Sequence, residues 1–225
     1  MLIEPAASVT DYLLAAIAFG LALLVARSGS RLRYWAWGLV TIGFGALLGG
    51  IYHGSLIDDP ALADPSWTAI TIIVAITVSL LLAATVESVL GEGQTRRWMI
   101  LRFATLGAFA IVALLGEAAI TTLLYVESLT MAAVIGLWIY AALKGQRGSR
   151  LMLAAILASG GAAVLRFAPL GFHLGWEWDP DSLYHVAQVP GLVLLYLALR
   201  RLPAGPAHEL VAVRNGALLE PASQA

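Results

Sequence analysis

The chain has 225 residues, of which 60% are hydrophobic and only 12% are charged, against roughly 45–50% and about 25% in soluble domains. This composition excludes an ordinary soluble domain. The net charge of −1 provides no basic surface, so no nucleic-acid partner is expected, and the absence of cysteine excludes disulfides, thiolate metal sites and cysteine nucleophiles.

Seven apolar segments, each long enough to cross a bilayer as a helix, follow one another along the chain. They cover residues 10–26, 34–56, 67–91, 97–115, 122–143, 150–170 and 181–202. Stretches such as 70–85 lack the alternation of a transmembrane β-strand. We therefore predict an all-α, seven-helix transmembrane bundle in residues 1–202, followed by a mobile cytoplasmic tail in residues 203–225.

The basic residues predict the orientation of this bundle, because Lys and Arg stay on the cytoplasmic side in short loops. Twelve of the 13 basic residues fall on one side, in connections, around the ends of spans or in the tail, and Arg166 alone falls near the other. The N-terminus is therefore expected outside and the C-terminus in the cytoplasm. The compact chain and its short loops favour a prokaryotic plasma membrane.

Acidic residues and histidines collect on the opposite, outer side of the predicted bundle. They include Asp58, Asp59, Asp64, Glu117, Glu127, His173, Glu177, Asp179 and Asp181. His53 and His185 lie inside their spans, near the same outer surface. Ionisable residues inside a membrane are costly and often mark function. Glu127 also needs a partner there, and Arg166 at a matching depth is the candidate.

A face of small residues leads to His53 in the second span. Thr41, Gly45, Gly49 and His53 recur every four residues and so share one helical face. Small residues let a neighbouring helix approach closely, which directs His53 into the bundle interior. A structural histidine, paired with a hydroxyl or a carbonyl group, is the alternative interpretation.

The seventh span opens with a second candidate pair. Asp181 and His185 are four residues apart and Gln188 follows one turn later, so a carboxylate and an imidazole can point at one spot, as in a metal site. Alternatively, Asp181 only interacts favourably with the positive end of the helix dipole, and His185 only hydrogen-bonds a neighbouring residue. The outer loop before this span contains Trp176 and Trp178, which are typical of interfacial anchors.

These residues resemble those of the seven-helix membrane hydrolases of the alkaline ceramidase kind, in the CREST superfamily that includes adiponectin-receptor-like proteins. Such proteins carry Ser-x-x-x-His near the end of the second helix, an Asp about eleven residues later and His-x-x-x-His at the start of the seventh. His53, Asp64 and His185 stand at matching positions. Gly49 stands in place of the Ser, and Asp181 in place of the first closing His.

The resemblance implies a Zn²⁺ ion and a zinc-bound water that attacks an amide. In this chain His53, Asp181 and His185 would bind the metal and leave a fourth position for water. Asp64 is the candidate to take the proton of the water or to orient a ligand, and Ser55 is the candidate to contact the substrate oxygen. The expected substrate is a lipid amide or ester at the outer side of the bilayer.

An alternative hypothesis is a non-enzymatic function that relies on the same His and Asp residues. A seven-helix receptor, transporter or proton-relay protein is favoured by the missing Ser and the altered closing motif. A proton path needs polar groups that continue inward, and the inner halves of the second and seventh spans offer little beyond Thr41. A retinal protein is disfavoured because the only lysine, Lys144, lies at a predicted helix end.

Overall fold

The structure is a computed structural model that describes residues 2–114 and 120–203. These residues form seven α-helices and one two-stranded hairpin. The helices are Pro5–Ala26 (α1), Arg33–Ile51 (α2), Ala63–Leu90 (α3), Glu92–Leu114 (α4), Ile120–Leu143 (α5), Ser149–Leu165 (α6) and Pro180–Leu199 (α7). The expected tail beyond residue 203 and Glu117 lie outside the described residues.

Each predicted span overlaps one helix, so the mostly helical fold is confirmed. Within the described residues, five segments are long and apolar enough to cross a membrane. They are Pro5–Ala26, Ser30–Leu56, Ala63–Leu90, Tyr125–Leu143 and Pro180–Leu199. α6 is a shorter apolar helix of 17 residues. Several apolar helices of membrane-spanning length are thus present, as expected of a membrane protein.

Local chemistry explains where several helices begin and end. Pro5 opens α1 in the first turn, where its missing N–H costs nothing. Asp179 caps α7, because its side chain accepts a hydrogen bond from the Ser182 backbone N–H at 2.8 Å. Gly145 and Gly148 adopt positive φ angles of 73° and 85° in the turn between α5 and α6, where L residues with side chains are strained.

Residues 172–178, expected as a loop, form an antiparallel hairpin. Strand β1 is Phe172–Leu174 and strand β2 is Trp176–Trp178. Gly175 makes the turn with a φ of 70°. The rings of Phe172 and Trp178 face each other across the strands, with centroids 5.8 Å apart and planes inclined by 7°. Such aromatic cross-strand pairs stabilise short hairpins.

Six helices form a closed ring. In this ring α2 packs on α1 and α3, α7 packs on α1 and α6, and α5 packs on α3 and α6. α4 lies outside the ring, against α3 and α5. The outer surface exposes large apolar side chains, among them Leu143 and Phe167 at 82% and 87%. An apolar exterior of this kind suits contact with lipid rather than water.

The two ends of the bundle differ in charge, as the sequence predicts. At one end Arg31 donates to the carbonyl groups of Leu202 and Pro203, and Arg33 lies 3.4 Å from Glu87. The connection between α1 and α2 therefore meets the ends of α3 and α7 at the basic end of the molecule. The start of α1, the end of α2, the hairpin and the start of α7 form the opposite, acidic end.

Candidate functional site at the acidic end

His53 lies in an irregular turn that continues α2. Residues Tyr52–Leu56 form a π-helical turn, a feature often found at functional sites. The segment before α1 lies alongside it, because the Glu4 backbone N–H donates to the His53 carbonyl at 3.0 Å. The Glu4 carboxylate Oε2 lies 2.6 Å from His53 Nδ1. Glu4 therefore holds both the backbone and the ring of His53.

Glycines allow α1 to approach the end of α2. A Cβ atom on Gly49 would lie 2.6 Å from Asp11 Oδ2, and one on Gly50 would lie 2.6 Å from the Tyr12 ring. The Ser8 hydroxyl donates to the Gly50 carbonyl at 2.8 Å. The predicted close approach along the small-residue face is confirmed, and the approaching helix at this level is α1. Asp11 occupies the space that a serine at position 49 would need.

His185 on α7 faces the same point from the other side of α1. Its Nε2 lies 3.4 Å from Asp11 Oδ1, and its Nδ1 lies 3.4 Å from the Thr10 hydroxyl. The rings of His53 and His185 have centroids 6.0 Å apart, and both residues are 8% exposed. The structure thus brings together two histidines that lie 132 positions apart in the sequence, by the difference of their numbers.

Asp11 and Glu4 are the functional candidates that sequence reasoning missed. Asp11 is 3% exposed and lies inside an apolar helix. The rule that singles out His53, that an ionisable residue inside a membrane span is a candidate for function, applies equally to Asp11. Glu4 carries no such signal, because it precedes the first predicted span and reaches the site only through the fold.

Asp181, the third predicted ligand, lies at the same site but is engaged by a cation. Its Oδ1 lies 2.7 Å from Arg166 Nε, and the Arg166 guanidinium lies over the Trp67 ring at 5.8 Å from its centroid. Arg166 caps the C-terminal end of α6. The expected pair between Arg166 and Glu127 is therefore wrong.

Glu127 pairs instead with Arg102, which sequence reasoning assigned to the basic side. Arg102 Nη2 lies 2.6 and 2.8 Å from the two Glu127 carboxylate oxygens. Arg102 is ten residues beyond the start of α4, by the difference of their numbers, which carries it about 15 Å along the helix. That distance separates it from the basic connections and places it level with Glu127 on α5.

A cavity of about 410 Å³ joins these groups. Its polar end is lined by Asp11, His53, Arg166, Asp181 and His185. Most of the remaining wall is apolar, from side chains of α1, α2 and α3 such as Leu14, Ile42, Ile70, Ile73 and Val78. Thr41, Thr77 and Glu127 also line it. A concave apolar site with a few convergent polar groups is typical of ligand binding.

The predicted catalytic candidates lie elsewhere among the described residues. Ser55 is exposed, and its hydroxyl donates to the Ile51 carbonyl of its own helix at 3.0 Å. Asp64 is exposed in the first turn of α3. His173 is exposed in the hairpin, opposite Glu177. None of the three is among the described residues that line the cavity. The roles expected of Ser55 and Asp64 stay predictions, and no role is predicted for His173.

Comparison with known proteins decides the family but not the activity. Residues 6–204 match a family of unknown function, DUF6962. The chain belongs to that family. No curated protein and no solved structure matches it. The expected resemblance to ceramidase-like hydrolases rests on the sequence positions of His53, Asp64 and His185 alone.

The side chains at this site in the DUF6962 member are of the types that bind zinc. Two imidazoles and a carboxylate are common zinc ligands, and ligand atoms at about 2.0–2.1 Å around a tetrahedral zinc ion are about 3.4 Å apart. Asp11 Oδ1 and His185 Nε2 already have that spacing, 3.4 Å. The Glu4 contact to His53 matches the carboxylate that commonly supports a ligating histidine. Within the described residues, however, no three such side chains are gathered around one point.

Proposed function

We propose that this protein is a multi-pass membrane hydrolase that uses Zn²⁺ to cleave a lipid amide or ester. One observation carries the proposal. Two buried histidines from different helices, each beside a carboxylate, lie at the polar end of a cavity whose wall is otherwise mostly apolar. An apolar wall suits the chain of a lipid, and the polar end suits its reacting group.

We propose the full topology on the same basis. All seven helices cross the bilayer, with the N-terminus outside and the C-terminus in the cytoplasm. The support is the charge separation between the two ends, because basic connections are retained on the cytoplasmic side. The cavity then opens near the outer surface, where a lipid of the outer leaflet can enter.

The proposed metal ligands are His53, His185 and a carboxylate. Asp11 is favoured over the sequence candidate Asp181, because Asp11 lies beside His185 while Asp181 is paired with Arg166. Bound zinc would activate a water molecule and polarise the substrate carbonyl. Glu4 occupies Nδ1 of His53, which leaves Nε2 as the metal-binding nitrogen of that ring.

Asp181 is the proton acceptor that the cavity offers. Arg166 holds its Oδ1, and the second carboxylate oxygen can take a proton from the attacking water and return it to the leaving group. This role was predicted for Asp64, which is exposed outside the cavity. The predicted contact of Ser55 with the substrate oxygen is disfavoured in the same way, because the Ser55 hydroxyl already donates to a carbonyl group of its own helix.

The proton-relay alternative receives less support from the same cavity. A relay needs a group that exchanges protons beyond the histidines, and Glu127 is the carboxylate toward the far end of the described lining. Both of its oxygens are held by Arg102. A carboxylate fixed in this way stabilises the bundle rather than passing protons, so the cavity favours a bound ligand.

Metal content is the first test. The full-length protein is purified in a nonionic detergent, dialysed against Zn²⁺ and then against buffer, and its zinc is measured by elemental mass spectrometry. We expect about one zinc per chain, and none in the His53→Ala, His185→Ala double variant. The matched control is His173→Ala, because His173 is exposed in the hairpin. Zinc retained in the double variant, or missing from the native protein, would overturn the proposed site.

Hydrolysis is the second measurement on the same proteins. Mixed micelles containing an N-acyl lipid or an ester lipid are incubated with each variant, and the released fatty acid is quantified. The native protein and His173→Ala should release fatty acid from one of the two lipids, and the double variant should release none. Zinc binding without any hydrolysis would keep the metal site and remove the hydrolase assignment.

A further inference from the structure

Arg166 is the one arginine or lysine among the described residues that line the cavity. The other described basic side chains, apart from buried Arg102, belong to connections or helix ends at the basic end. The side chain of Arg166 is 42% exposed, so a ligand can reach it. Asp181 compensates the charge of Arg166 through Nε, so the question is what the remaining donors of this guanidinium bind beside the cavity.

The guanidinium of Arg166 is positioned but only partly used. Its Nε lies 2.7 Å from Asp181 Oδ1, and its Cζ lies over the Trp67 ring, 5.8 Å from the centroid. No described residue accepts a hydrogen bond from its two Nη groups. Arginine offers five N–H donors in a rigid fork that matches a carboxylate or a phosphate. Arg166 thus retains donors for an oxyanion at the polar end of the cavity.

The apolar part of the cavity sets the size of the rest of the ligand. The cavity runs along α2 from His53 to Thr41, twelve residues by the difference of their numbers, which corresponds to about 18 Å of helix. One leaflet of a bilayer contributes about 15 Å of hydrocarbon, half of about 30 Å. The depth therefore matches one acyl chain of ordinary membrane length.

We propose that the cavity binds a single-chain amphiphile whose polar end carries an oxyanion, with Arg166 as the residue that selects the charge. The chain lies along the apolar wall formed by α2 and α3, and the oxyanion contacts the Nη groups of Arg166 beside the histidines. This inference deepens the proposed function by naming its substrate or product class. Binding of such a ligand requires neither zinc nor turnover.

The test uses three ligands that share one chain and differ in the head group: oleate, oleyl phosphate and oleyl alcohol. Equilibrium binding of each radiolabelled ligand to the chelator-treated, full-length protein is measured in nonionic micelles, so that no metal can hold the anion. We expect at least one anionic ligand to bind about tenfold more tightly than the alcohol, the value of one charge-assisted pair. Stronger binding of oleate assigns a carboxylate, and stronger binding of oleyl phosphate assigns a phosphate.

Substitutions at Arg166 test whether this residue causes the preference for the anionic ligands. Arg166→Gln should remove the preference for the anion and leave the alcohol unchanged, while Arg166→Lys should keep part of it, because a point charge remains without the fork. Arg147→Gln is the matched control, since Arg147 is exposed at the basic end. Equal binding of alcohol and anions, or a preference that survives Arg166→Gln, would overturn the proposal.

The same measurement separates this inference from the proposed hydrolase. The His53→Ala, His185→Ala variant should retain the preference for the anion although it binds no zinc. Octanoate should bind more weakly than oleate, because a shorter chain buries less apolar surface. If zinc binding is lost but the anions still bind more tightly than the alcohol, this inference holds without the hydrolase. If the alcohol binds as well as the anions, this inference is wrong, whatever the zinc content.

Discussion

The Arg102–Glu127 pair and the His53–His185 pair are both buried in the bundle, yet their surroundings differ. Arg102 and Glu127 are 2% and 6% exposed. Around them, Arg102 also donates to the Ser79 hydroxyl at 3.0 Å, the Thr130 hydroxyl at 3.0 Å and the Ala75 carbonyl at 3.2 Å. A buried charge with this many partners is satisfied by the protein alone.

The two histidines are satisfied to different degrees. His53 Nδ1 lies 2.6 Å from Glu4 Oε2, but the side-chain contacts of His185 are longer. The contacts of His185 to Asp11 and to Thr10 are both 3.4 Å, and the contact to the Asp11 carboxylate is longer than the usual 2.7–2.9 Å of a charge-assisted hydrogen bond. Both rings line the cavity. The difference teaches that polar groups with full internal pairing hold helices together, whereas polar groups that retain bonding capacity beside a cavity are available to a ligand.

The largest expected effect comes from breaking the satisfied pair. Glu127→Gln leaves the buried Arg102 charge without its partner and should lower the free energy of unfolding by about 3–5 kcal/mol. The Arg102→Met, Glu127→Met double variant should lose less than about 1 kcal/mol, because neither charge remains. Ser79 and Thr130 stay paired in it through their bonds to the Ala75 and Val126 carbonyls.

Unfolding by SDS titration, followed by tryptophan fluorescence in mixed micelles, measures both variants. Zinc content should remain at the native level in the double variant, since the histidine pair is untouched. Equal destabilisation by the single and the double change would contradict the assignment of Arg102–Glu127 as an ion pair that must be kept or removed as a whole.

A smaller effect is expected where α1 meets α2. A Cβ atom on Gly50 would lie 2.6 Å from the Tyr12 ring and 3.1 Å from the Ser8 backbone carbonyl, which cannot rotate away. Gly50→Ala should therefore cost about 1–3 kcal/mol of stability. It should also lower zinc binding, because α1 carries Asp11. The Arg102–Glu127 pair, which lies on α4 and α5, should be unaffected.

Gly20→Ala is the matched control in α1. Nothing lies within 4 Å of a Cβ atom at Gly20, so this change should stabilise the helix by up to about 1 kcal/mol. The same SDS titration and zinc measurement apply. If Gly50→Ala were as stable as Gly20→Ala, the close approach of α1 would not be needed to form the site.

Much of this architecture could be predicted from the sequence. The long apolar segments predict the helices, and the separation of Arg and Lys from Asp and Glu predicts two chemically different ends. The four-residue spacing of Thr41, Gly45, Gly49 and His53 predicts a closely packed face. These features depend on hydropathy and helical period, which are local properties of the chain.

The partners of the buried charges could not be predicted in the same way. Periodicity identifies the face of a helix but not which neighbour covers it, so Glu127 was assigned to Arg166 rather than Arg102. The contact of Glu4 with His53 depends on a backbone bond between the start of α1 and a π-helical turn, which has no sequence signal of its own. The burial of Asp11, unlike its partner, could have been predicted, because Asp11 lies in an apolar span.

The smallest expected change in stability comes from Glu4, although its effect on the site should be clear. Its side chain is 38% exposed, and exposed ion pairs contribute at most about 1 kcal/mol, so Glu4→Gln should barely alter SDS unfolding. Its contact orients the His53 ring, and loss of such support lowers metal affinity about 10–100-fold. Glu177→Gln, the same change at an exposed hairpin residue, is the control in a zinc titration against a competing chelator. Unchanged zinc affinity in Glu4→Gln would show that His53 needs no supporting carboxylate to bind the metal, and the short Glu4 contact would then serve only the packing of the chain before α1 on the π-helical turn.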